Sequence, residues 1–299
     1  MTRQWLLLPA LLLGASVPAP AQGVPDTDVF VAPLRWQNGQ HTVGDPINIT
    51  ARPGYDNQPW FLPDGHSLFY VSQRSGQTDV FRHDLVRGTA IQITRTPESE
   101  YSPALTPDGR AMMVVRVEAD SSQHLWLFTP QGQPLRRAPG NVKGVGYYAW
   151  GNPHTLALFI ADSAQSFVLS DVRTGRSTRI GHSLGGSPPR AMPGQRAVSF
   201  MQQDSAGLWW IQRLDLRTRQ RKRLVQALPG SVHYTWTPRG TLLMARGATL
   251  YEWSPTGTRE WREIAAFSAP GLQSITRIAV SPRGDRIALV SASTPPTTR

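Results

Sequence analysis

The chain has 299 residues, a formal net charge of +11 carried almost wholly by arginine, and no cysteine. The missing cysteine excludes disulfides, thiolate metal centres, a cysteine nucleophile and lipidation at an N-terminal cysteine. With 26 Gly, 26 Pro and 10 Trp against 17% charged residues, the composition favours many short strands joined by turns, with large rings to bury.

The chain opens with a targeting signal. Arg3 gives a positive start, Leu6 to Leu13 form an apolar run too short to span a bilayer, and Ala19-Pro20-Ala21 fits a small-x-small cleavage site. This predicts a signal peptide over 1–21, a mature start at Gln22 and a periplasmic or secreted location. In that setting the basic balance favours cell-envelope phosphates, acidic glycans or acidic protein faces, and nucleic acid is not expected as a partner.

Two strand-like runs follow, Asp28–Leu34 and Pro46–Thr50, and they read as a third and fourth strand with no first and second. A repeat then begins. Gln58-Pro59-Trp60-Phe61-Leu62-Pro63-Asp64-Gly65 returns as Ser102-Pro103-Ala104-Leu105-Thr106-Pro107-Asp108-Gly109. Degenerate copies lie at Tyr147–Asn152 and Pro188–Gly194, and clearer ones at His233–Gly240 and Arg277–Gly284. Taken on Pro63, Pro107, Asn152, Pro193, Pro238 and Pro282, the spacings are 44, 45, 41, 45 and 44 residues, the period of propeller blades. Pro-x-Gly is the chemistry of a tight turn, since Pro presets φ and Gly accepts a positive φ. A continuous apolar run follows each turn, as in Ser67–Ser72 and Ala111–Val115, which predicts strands buried on both faces between stacked blades.

Third and fourth strands complete most units, for example Asp79–Leu85 with Ala90–Thr94 and Ser166–Val172 with Ser177–Ile180. The sixth copy has only two strands before the tail, and its missing half is the N-terminal pair. The prediction is an all-β, six-bladed β-propeller of four-stranded antiparallel blades over 22–293, closed by pairing the N-terminal strands with the C-terminal half-blade, with a disordered tail at 294–299. The densest basic run, Arg217–Arg223, falls on a hairpin turn and edge strand and reads as solvated charge protecting that edge.

The Asp-Gly turn after a Pro-x-Trp-like strand resembles the WD-like repeat of TolB-type propellers, best in Asp56–Thr94 and Ser99–Leu127, and the resemblance covers nearly all of the mature chain. It implies a monomeric extracytoplasmic binding or scaffold protein. The N-terminal α/β domain of TolB-type proteins is not expected between the signal and the first blade.

Alternation along each first strand predicts which side chains face the central channel. Five positions before the turn register stand Gln58, Ser102, Tyr147, Pro188, His233 and Arg277, and three before it stand Trp60, Ala104, Ala149, Arg190, Thr235 and Ala279. The candidate binding set is therefore Gln58, Trp60, Ser102, Tyr147, Arg190, His233 and Arg277, with Asp56 and Glu100 near the rim. The alternative is a propeller enzyme of the lactonase, lyase or sugar-dehydrogenase type, which needs carboxylates or histidines converging on a channel-bound metal or cofactor. The predicted ring has one His and no carboxylate. No cofactor is expected. Asp26 with Asp28, or Asp56 with Glu100, are the oxygen donors a Ca²⁺ ion would use. Gly181-His182-Ser183-Leu184-Gly185 fits the G-x-S-x-G nucleophile elbow, but Pro188, Pro189 and Pro193 forbid the helix that an elbow requires, so no catalytic serine is expected. Arg283-Gly284-Asp285 is a blade turn, and the sequon Asn48-Ile49-Thr50 reads as structural.

Overall fold

The computed structural model describes residues 25–257 and 260–292; the predicted signal peptide and tail lie outside these residues. The described residues form an all-β propeller of six antiparallel sheets, without a helix among them. Blade one is Asp56–Phe61, Ser67–Arg74, Gln77–Asp84 and Thr89–Gln92, counted outward from the channel. Blades two to five repeat that order from Ser99, Val145, Arg190 and Tyr234.

The uninterrupted apolar runs are explained by the period of two. Each blade is radial, so both faces of its second strand meet a neighbour. In blade one, Leu68 and Tyr70 pack with Val29, Val31, Ala288 and Val290 of blade six, while Phe69 packs with Met112 and Val114 of blade two. The same division holds around the ring: Met113 and Val115 meet Leu156 and Leu158, Ala157 and Phe159 meet Val198 and Phe200, and Leu243 and Ala245 meet Ile287 and Leu289. The core is thus a set of clusters at the blade interfaces, and no single blade has a core of its own. Polar groups bridge some of these interfaces. The Tyr148 hydroxyl donates to the Met113 carbonyl, and Ser199 Oγ receives both the Tyr234 hydroxyl and the Trp236 indole N–H.

The turns follow their predicted chemistry. Asp64 Oδ1 accepts from the amides of His66 and Ser67, and Gly65 has φ +69°. In the basic run, Asp215 Oδ1 accepts from the amides of Arg217 and Thr218 at a hairpin leading into the outer strand Arg221–Gln226.

Blade six closes the ring. Ile275–Val280 and Arg286–Ala292 are joined by Thr27–Gln37, which pairs from Thr27↔Ala292 to Pro33↔Arg286. Two details differ from the sequence expectation. The fourth strand is only Ile47–Asn48, after which Asn48 Oδ1 turns the chain by accepting from the amides of Thr50 and Ala51. The closing strand also runs on past the blade into a hairpin with Gln40–Val43, turning at Asn38 and Gly39, both at positive φ. That hairpin reaches blade five, where buried His41 meets buried Glu252 at 2.5 Å. Trp36 packs edge-on to His41, and the Arg239 guanidinium lies 4.9 Å from the Trp36 ring. Burial alone would raise the Glu252 carboxyl. Hydrogen bonds from the His41 ring, Thr241 and the His41 amide outweigh it and pull the pKa down to about 2.

Candidate functional site

A cavity of about 740 Å³ occupies the channel and opens on the face that carries the turns between first and second strands. Its mouth is off-centre. Pro63, Pro107 and Asn152, the turns of blades one to three, form the rim, and Trp60, Tyr147, Tyr148 and Trp150 supply apolar wall. Both ends of the propeller chain, at Thr27 and Ala292, lie on the opposite face, next to Tyr55 and Asp56, which begin the first blade.

Six of the seven channel-facing residues in the candidate binding set line this cavity: Gln58, Trp60, Ser102, Tyr147, Arg190 and Arg277. They are connected across the ring. Gln58 Oε1 accepts from the Ser102 amide at 2.5 Å and from its hydroxyl at 3.2 Å, joining blades one and two. Arg277 of blade six donates to the Tyr147 hydroxyl of blade three at 2.5 Å, with its guanidinium 5.0 Å from the Tyr147 ring. Arg190 Nε donates to the Tyr234 carbonyl at 3.0 Å. His233 stands behind the wall, edge-on to Tyr147 with ring centroids 6.4 Å apart, and its buried Nδ1 has no hydrogen-bond partner among the described residues. Burial, followed by the charges of Arg277 and Arg190, holds the His233 pKa well below its ordinary value, so this ring is neutral at pH 7.

The inner strands of blades one and two are bulged. Their pairing slips between Asn57 and Trp60 and between Tyr101 and Ala104, and Gln58 and Ser102 take φ values of +55° and +52°, unusual for residues other than glycine. Pro59 and Pro103 were the sequence signal for these bulges, since proline inside a strand is confined to edges and bulges. The extra residue reverses the alternation upstream of it.

That reversal corrects the placement of Asp56 and Glu100. Both are fully buried, at the far end of their strands from the mouth. Asp56 is ion-paired to Arg52 at 2.8 Å, and Glu100 accepts from the Thr96 hydroxyl. Desolvation pushes the Glu100 pKa up to about 7 against the hydrogen bonds from Thr96 and Thr94, and the charge of Asp79 adds to the rise. A raised carboxyl pKa gives stability that is fully present below the unfolded value and lost as pH rises through the folded one. Glu100 therefore costs the fold progressively between about pH 4.5 and 7. Glu100→Gln is expected to raise the melting temperature at pH 8, to change it little at pH 4.5, and to flatten the profile between; scanning calorimetry across that range checks this.

Tyr55 is a central residue that the strand-based reading passed over, because it lies one position before the first strand of blade one. It is buried, its hydroxyl accepts from the Gln58 side-chain Nε2 at 3.3 Å, and burial pushes its pKa up to about 12. The other oxygen donors considered for Ca²⁺ are occupied: Asp26 Oδ1 accepts from the Gly54 amide, and Asp28 Oδ1 from the Thr50 hydroxyl. No group of three or more His, Asp or Glu able to hold a metal occurs among the described residues. Ser183 sits in an irregular connection with φ +62°, its Oγ 3.0 Å from the adjacent His182 Nδ1.

No protein-family model and no curated protein matches the chain. Among solved structures, a putative TolB from Agrobacterium tumefaciens superposes with a TM-score of 0.69 at 16% identity, covering 91% of this chain and 100% of that one. TolB from Acinetobacter baumannii gives 0.56 at 15% identity, covering 89% of this chain and 64% of that one. An oligogalacturonate lyase in complex with manganese gives 0.55 at 11% identity, covering 85% and 83%. At these identities the likeness establishes the TolB-type propeller fold.

Proposed function

We propose that the protein is a non-catalytic, extracytoplasmic binding module that receives a peptide segment of a cell-envelope protein in the channel mouth. The observation that carries this reading is the cavity itself: large enough for several residues, walled by proline and aromatic side chains, and furnished with a few hydrogen-bonding groups that fix orientation. Left-handed Gln58 and Ser102 at its wall are the kind of backbone strain that persists where geometry serves recognition. Among the described residues the walls hold no histidine. The one carboxylate among them, Asp108, accepts from Thr106 and the Arg110 amide at the rim. The same architecture belongs to a lyase in another solved structure, so the reading rests on the mouth rather than on the fold. The export signal in the sequence supports the location.

Filling the cavity tests this without altering its charge. Ala104 and Ala149 both line it, and Ala104→Trp with Ala149→Trp occupies its volume. In a pull-down from envelope extract with protein beginning at Gln22, a partner captured by the wild type is expected to be lost with the filled variant, whose melting curve confirms folding. Capture of the same partner by both proteins would overturn the proposal.

A further inference from the structure

The channel carries two arginines, Arg190 and Arg277, that no carboxylate among the described residues pairs with. Neither Arg190 nor Arg277 is ion-paired among the described residues, although most of the chain's carboxylates are engaged by arginines or by turn amides. Each guanidinium uses one nitrogen on a neutral acceptor, Arg190 on the Tyr234 carbonyl and Arg277 on the Tyr147 hydroxyl, and so retains donors on its planar fork. The two come from blades four and six and line the same cavity. They lie close enough for each charge to act on the groups around it. Desolvation, with Arg277 adding to it, draws the Arg190 pKa down to about 10, and both arginines act on His233.

Holding two cations together in a partly desolvated site is costly unless an anion completes it. Structural arginines elsewhere in this chain have that completion: Arg116 lies between Glu98 and Glu118, and Arg52 on Asp56. Behind Tyr147, the buried His233 Nδ1 likewise has no partner among the described residues. Planar guanidinium forks match the two oxygens of a carboxylate. Aromatic walls at Trp60, Tyr147 and Trp150 suit the side chains flanking such a group.

We infer that Arg190 and Arg277 form a carboxylate site at the channel mouth, which selects partner segments bearing an acidic group. The inference rests on the binding reading above. It adds that the segment is anchored by one buried charge.

Three probes test it: N-acetylated, C-amidated tyrosyl-glutamyl-tyrosine; its glutaminyl counterpart; and that counterpart with a free carboxyl terminus. Titration calorimetry on the full mature protein is expected to show at least tenfold tighter binding for a carboxylate-bearing peptide than for the neutral one. Which of the two acidic peptides wins tells a side-chain carboxylate from a chain terminus. The preference is expected to vanish in Arg277→Gln, and Arg190→Lys provides a second variant should removal of a charge impair folding. Equal affinity for all three peptides, no binding of any, tighter binding of inorganic phosphate than of either acidic peptide, or a preference that survives in both variants would overturn the inference. Its failure is separable from that of the function. If the filled variant loses its partner while the peptides show no charge preference, the mouth binds but not through a carboxylate. If the peptides discriminate while partner capture survives filling, the anion site stands and the partner docks elsewhere.

Discussion

Glu252→Ala is expected to destabilise the protein by about 3–5 kcal/mol, because it leaves both the buried His41 ring and the His41 amide without their hydrogen-bond partner. Glu252 and His41 have side chains only 2% and 1% exposed, and Glu252 also accepts from the His41 amide at 3.2 Å and from Arg262 at 3.0 Å. Its removal strands the His41 ring beneath Trp36 and detaches the Gln40–Val43 hairpin from blade five. For a chain of this size the change corresponds to a melting temperature lower by roughly 6–20 °C. Acidification reports the same contact. Because the folded Glu252 pKa lies below its ordinary value, at about 2, the contribution is present above about pH 4.5 and is lost as pH falls from there toward 2. The wild type should therefore lose stability in that window and Glu252→Ala should not lose this component. A double replacement, His41→Leu with Glu252→Leu, is expected to recover much of the loss, since an apolar pair carries no desolvation cost. A single variant within 1 kcal/mol of wild type in urea denaturation would show that the hairpin does not fasten the ring.

Removing the closing strand has a larger effect. A chain beginning at Pro46 lacks Thr27–Gln37, and with it the ladder to Arg286–Ala292 and the buried side chains of Val29, Phe30, Val31 and Leu34. At about 1.5–3 kcal/mol for each such side chain, the loss is roughly 6–12 kcal/mol, comparable with the net stability of a typical domain. It also turns Arg286–Ala292 into an exposed apolar edge, a template for intermolecular pairing. The expected result is insoluble protein or a soluble species without a cooperative melt, restored when a peptide of residues 25–43 is supplied in trans. A monodisperse, cooperatively unfolding truncate would mean that the five remaining blades and the half-blade hold themselves together.

The sequence by itself determined the architecture, the blade count and the closure of the ring. These rest on local, periodic signals: Pro-x-Gly turns whose dihedrals few other residues adopt, and apolar runs that make sense only between two neighbours. Pro63 and Pro107 mark turns whatever lies elsewhere in the chain, and Leu68 to Val71 need partners on both faces. The Asn38-Gly39 hairpin was legible on the same terms, as a two-residue turn between alternating flanks, but no repeat called attention to it.

The tertiary structure alone decided where the first-strand side chains point. Alternation carried the prediction to Gln58 and Ser102, but one extra residue at each bulge reverses the phase, so Asp56 and Glu100 face buried neighbours instead of the rim. It also decided which distant residues meet. Arg277 and Tyr147 lie 130 positions apart, in blades three and six, and their hydrogen bond exists only because the ring closes at a radius that brings opposite inner strands within reach. Propensity and pattern act over a few residues, whereas the charge of the channel is set by the sum of six blades and by which arginines that closure leaves without a carboxylate.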